Sequence, residues 1–73
     1  MTDEEYLMKL GKKIACLRKE RGWTQAEFAI KLNTHRTNVT RIELGNVNST
    51  INILRKIAAT LDIRSHELLN IQE

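Results

Sequence analysis

Apolar residues return every three or four positions along this chain, and nowhere do they alternate over the length of a strand. Leu7, Leu10, Ile14 and Leu17 form one stripe, Phe28, Ala29 and Leu32 a second, and Ile51, Leu54, Ile57, Ala58 and Leu61 another. That recurrence is the period of an α-helix, whereas a half-buried strand would show a period of two. No proline interrupts it. The pattern predicts an all-α chain, and 73 residues make it a single domain, residues 1–73, with a small core.

Punctuation divides the stripes into helices. The first is expected over about residues 4–21 and ends in "RKERG", where Gly22 suits the left-handed position after a helix. Thr24 is a good N-cap for the second, and Glu27 three residues on completes a capping box. Trp23, just before that cap, is placed to meet Phe28 as a hydrophobic staple. Asn33 stops the second helix, since asparagine tolerates a left-handed backbone. A third helix is capped by Thr34 or His35 and closed by Gly45. "NVNST" reads as a loop with Thr50 capping the fourth helix, and a short fifth from about Ser65 carries Leu68 and Leu69. Helices two and three are joined by about three residues, a helix-turn-helix arrangement.

The third helix lies in "NTHRTNVTRIELG", and its composition is odd. Its inward pair is Val39 and Ile42; around them stand Arg36, Thr37, Asn38, Thr40 and Arg41. Thr, Asn and Val are mediocre helix formers, so local propensity does not account for the choice. Charge is uneven as well. The formal net charge is +3, yet residues 9–56 hold eleven Lys or Arg against three Asp or Glu, between acidic ends. Such a distribution suggests an anionic partner facing one part of the fold, although solvated basic faces are common.

"TQAEFAIKLNTHRTNVTRIELG" resembles the helix-turn-helix of the phage repressor and Cro type, the XRE family, and the likeness extends over about residues 10–69. Gln25 opens the second helix, small Ala29 sits where the two helices cross, and "IELG" and "LRKIAATL" match the family's following elements. The resemblance implies a compact five-helix, lambda-repressor-like bundle and sequence-specific binding of double-stranded DNA. Controller proteins of restriction–modification systems share the domain size, the "HRT" opening and an asparagine equivalent to Asn48. Departures from the family pattern are Asn33 and Asp62 for common glycines, Thr34 at an apolar site, Leu44 for a polar residue and Val47 for a common arginine. In the family an arginine matching Arg18 pairs with the glutamate matching Glu43, which ties helix one to helix three.

With Val39 and Ile42 inward, a helical wheel sends Thr37, Thr40, Arg41 and Leu44 outward and leaves Arg36 on the flank. The major groove admits one α-helix; an Arg fork suits guanine, and a threonine can touch a thymine methyl or bond either kind of edge. Arg36, Thr37, Thr40 and Arg41 are therefore the expected base-reading residues. Gln25, at a helix N-terminus, is expected on phosphate, where contacts set register without reading sequence. Asn46 and Asn48 in the loop are further phosphate candidates, and His35 either caps its helix or bonds a phosphate.

Other functions find little support. His35, His66 and Cys16 show no metal-ligand spacing, and there is no phosphate-cradling glycine loop or nucleophile–base signature, so no enzyme and no cofactor are expected. Cys16 cannot form an internal disulfide and reads as a small helix-packing residue. The acidic N-terminus lacks the basic start of a secretory signal and no apolar run spans a bilayer, so a cytoplasmic protein without membrane association is expected. No small-molecule effector is expected; contact with RNA polymerase would need an acidic surface. The competing reading is an antitoxin-type interaction protein that binds a partner protein and autoregulates its operon. One recognition helix reads too few base pairs to single out an operator, so a homodimer on a palindromic site is expected. Ile63, Leu68, Leu69 and Ile71 are assigned to its interface.

Overall fold

The computed structural model describes residues 1–47 and 50–72. Among them the elements run α1 Asp3–Glu20, α2 Gln25–Lys31, α3 Arg36–Glu43, α4 Ile51–Thr60 and α5 Ser65–Leu69, with no strand. The all-α fold follows the helical spacing. α1 starts and stops one residue earlier than the apolar stripe implied. Thr2 is its N-cap: the hydroxyl accepts from the Glu5 amide at 3.1 Å, and Glu5 returns a bond to the Thr2 amide. Thr2 and Glu5 repeat the Thr-x-x-Glu pattern of Thr24 and Glu27, a signal that the apolar spacing overshadowed. Arg21 is the C-cap, and Gly22 follows at φ 75°.

The core joins all five helices. Ile14, Phe28, Leu32, Val39, Ile57, Leu61 and Leu68 are the largest side chains it fully encloses, each contributing about 1.5–3 kcal/mol by leaving water. α3 packs between α1 and α2, while α5 lies on α1 and α4. The Tyr6 hydroxyl donates to the Leu69 carbonyl, and the Lys13 ammonium to the Asn70 carbonyl at 3.1 Å, so α1 also holds the end of α5.

Gly11 sets the position of α3. A Cβ built there would lie 2.6 Å from the Ile42 carbonyl oxygen and closer still to that of Glu43. The end of α3 therefore rests directly on the backbone of α1. Gly45 returns the contact: at φ 76°, its Cβ would come within 2.8 Å of the Met8 backbone. Glycine is needed at both places because no side chain fits the gap.

Two expectations change. Leu68 is wholly buried in the protomer, beneath α5, and is a core residue with no surface to offer a partner. It faces inward because a helix of five residues has a single buried position, and Leu68 occupies it. Cys16 is exposed on α1 and is no packing residue of the core, since the α1 stripe turns inward at Ile14 and Arg18 instead.

Candidate nucleic-acid interface

The turn between α2 and α3 determines how the third helix is presented. Asn33 adopts φ 54°, and the amides of Asn33 and Thr34 donate to the carbonyls of Ile30 and Ala29 at 3.0 and 2.9 Å. These bonds close the end of α2 and turn the chain within four residues. Ala29 is buried where α2 meets α3. Val39 and Ile42 seat α3 in the core, so its opposite side faces solvent.

That outer side holds Arg36, Thr37, Asn38 and Arg41, all exposed, and Leu44, which is 60% exposed. Four of the five side chains carry hydrogen-bonding groups, and two are permanent cations. Thr40 differs from its neighbours. It is half-buried and leans on α2, where its hydroxyl lies 2.9 Å from the Gln25 amide oxygen and 3.1 Å from the Arg36 carbonyl.

Gln25 is drawn into the same cluster. Its amide nitrogen donates to Glu43 Oε1 at 3.0 Å. Glu43 also accepts two bonds from Arg18, Nε to Oε2 at 2.7 Å and Nη2 to Oε1 at 3.0 Å, and Arg18 Nη1 donates to the Trp23 carbonyl at 2.8 Å. Among the described residues, Arg18 and Glu43 are the buried charged ones. The structure thus brings Arg18, Glu43, Gln25 and Thr40 together, one chain of bonds across α1, α2 and α3. A buried bidentate pair orients its elements strongly, although desolvation offsets much of its attraction. Sequence reasoning placed Gln25 only at an N-terminus and missed its side-chain bonds to α3. No spacing signal could have revealed them, because the partners are 15 and 18 residues away.

The remaining sequence candidates are dispersed. His35 is the N-cap of α3, with an exposed ring and no capping bond from its side chain. Asn38 Nδ2 donates instead to Thr34 Oγ1 at 3.0 Å, across the helix start. Asn46 is exposed, and its backbone N–H donates to the Arg41 carbonyl at 2.9 Å. Asn48 lies outside the described residues. Ile63, Leu69 and Ile71 are partly buried against the core. Trp23 stacks on Phe28, ring centroids 6.0 Å apart, while Lys31 Nζ sits 4.6 Å above the indole. Both groups engage the tryptophan within the protomer, as a staple and a cation–π contact. Beside it, the Glu27 carboxyl is held below the ordinary carboxylate range, first by its bond from the Thr24 amide and then by the Thr24 side chain.

Comparison with known proteins places this geometry. The family described as "Helix-turn-helix" (HTH_3) matches residues 14–68. The HTH-type transcriptional regulator SinR of Bacillus licheniformis is 36% identical over 62 residues, which cover 84% of this chain and 56% of SinR. SinR of Bacillus subtilis (strain 168) is 34% identical with the same coverage. The chain thus spans about half the length of the curated relatives it matches. Among solved structures, the restriction–modification controller protein C.AhdI from Aeromonas hydrophila superposes with a TM-score of 0.86 at 29% identity, covering 93% of this chain and 99% of that one.

Proposed function

The chain belongs to the HTH_3 helix-turn-helix family, and from that premise we propose that it is a transcriptional regulator binding a palindromic operator in double-stranded DNA as a homodimer. The observation that carries this reading is the exposed outer side of α3, where Arg36, Thr37 and Arg41 stand free of the core. Seated in a major groove, Arg36 or Arg41 would fork onto guanine and Thr37 would meet a thymine methyl or a polar edge. Thr40 would read from the edge of the same surface.

Backbone contacts would fix the register. His35 and Asn46 have exposed side chains suited to phosphate. Gln25 has both ends of its amide engaged, so a phosphate would meet its second N–H hydrogen or the backbone amides beside it. Asn48, from its place in the loop, would add a contact.

Pairing would use Ile63, before α5, with Leu69 and Ile71 at its end. Two α3 helices would then enter inverted half-sites about one helical turn, ~34 Å, apart. The likeness to C.AhdI over nearly its whole length favours a controller-type regulator. The relatives are named as regulators and a controller, which favours this reading over an antitoxin-type protein. Action in the cytoplasm, and any contact with RNA polymerase, belong to the same proposal.

Selection of bound sequences from random duplexes tests it directly. An inverted repeat should emerge, and sedimentation at micromolar concentration should show a dimer that Leu69→Glu or Ile71→Glu converts to folded monomers. No enriched sequence would refute the regulator reading; an enriched single half-site bound by a monomer would refute the dimer alone.

A further inference from the structure

The chain of bonds from Arg18 to Thr40 has a direction, and that direction bears on what α3 can recognise. It begins at Arg18, which can only donate. Glu43, as a carboxylate, can only accept, and it receives Arg18 Nε at 2.7 Å and Nη2 at 3.0 Å. The group of Gln25 that faces Glu43 Oε1 at 3.0 Å must therefore be its NH2, because an amide oxygen there would oppose a carboxylate oxygen. This settles which way the amide points, a matter its shape alone would leave open. The amide oxygen then faces Thr40 Oγ1 at 2.9 Å and can only accept.

Thr40 has a single hydroxyl hydrogen. Its two neighbours within the protein, Gln25 Oε1 at 2.9 Å and the Arg36 carbonyl at 3.1 Å, are both acceptors. Whichever takes the hydrogen, it is engaged within the protein. What remains for a ligand on the outer side of α3 is an oxygen lone pair and the γ-methyl group.

Resting on the DNA-reading function above, we propose that Thr40 is a specificity residue locked as a hydrogen-bond acceptor. It reads the exocyclic amino group of adenine or cytosine and rejects, as hydrogen-bond partners, the O6 of guanine and the O4 of thymine. In the major groove the amino groups of adenine and cytosine are the donors, while the oxygens of guanine and thymine accept. A freely rotating threonine would serve either kind. The Arg18–Glu43–Gln25 chain removes that freedom at Thr40, 22 residues along the sequence from where it starts.

The test begins with sequences selected by the wild-type protein and by Thr40→Val. The position whose preference relaxes in the valine variant is the one Thr40 reads, and Thr40→Ala locates it equally well should valine disturb folding. Duplexes are then made with the single major-groove amino group of that base pair deleted, purine replacing adenine or 2-pyrimidinone replacing cytosine. The wild type and Thr40→Ser should lose about two- to tenfold in affinity, the size of one hydrogen bond; Thr40→Val and Thr40→Ala should lose nothing. Wild-type indifference to the deletion overturns the proposal, as does an equal loss in the wild type and the valine variant. If the wild type enriches a motif that the Thr40 variants enrich unchanged, this inference falls while the regulator reading stands. If the wild type enriches none, both fall.

Discussion

The two ends of α3 are held in unlike ways. At the C-terminal end, the backbone rests on Gly11 of α1, Gly45 presses on Met8, and Glu43 is bound by Arg18 and Gln25. At the N-terminal end, the N-cap His35 makes no capping bond with its side chain, Asn38 reaches across to Thr34, and the Thr40 hydroxyl reaches back to the Arg36 carbonyl. The exposed Arg36 and Thr37 belong to this lightly held end. The helix is thus aimed from its far end, while the end that carries two of the proposed reading residues keeps its surface clear.

The strongest way to break this comparison is at Glu43. Glu43→Ala should destabilise the fold by about 3–5 kcal/mol, because Arg18 would remain buried without its partner. Urea denaturation would measure this, and replacing both residues should cost less than the two single changes added together. Additive effects would show that the C-terminal clamp does not act as a pair. Gly11→Ala should come next, at about 1–3 kcal/mol, since the new methyl group would push α3 off α1. A variant as stable as the wild type would mean that the close approach is not needed.

The N-terminal end should behave in the opposite manner. Arg36→Ala and Thr37→Ala should leave stability within about 0.5 kcal/mol while weakening specific DNA binding by about 1–3 kcal/mol per lost contact. Unfolding curves and operator titrations on the same samples would separate the two effects. His35→Ser should stabilise α3 by about 0.5–1 kcal/mol by supplying the missing cap; no gain in the unfolding midpoint would mean that this end is already satisfied.

The smallest effect concerns the neighbouring cap of α2. Glu27 has its folded-state pKa lowered, so its contribution is present above the ordinary carboxylate pKa and is lost as pH falls through the depressed value. Glu27→Gln should flatten that part of the acid-unfolding profile slightly. An unchanged profile would remove Glu27 from the pH response.

Helix existence, order and most boundaries were legible in the sequence because they depend on neighbours within one or two turns. Thr24, Gly22, Asn33 and Thr50 act through bonds and backbone angles a few residues long. The inward placement of Val39 and Ile42 follows from the helical period alone. The Arg18–Glu43 pair was legible only by resemblance to a family, since its members stand 25 residues apart. Contacts across the fold had no such signal. Gly11 looks like any weak helix residue until α3 is seen resting on it. Leu68 and Leu69 are identical in type and adjacent in sequence, yet one is wholly enclosed and the other only partly, because the rotation of α5 about its axis is set by α1 and α4. Gln25 and Thr40 each fit a surface role by themselves, and only their meeting shows that their hydrogens are directed. Local periodicity and caps determined which helices form; which atoms face each other was decided by packing, since that depends on how separate helices fill one shared core.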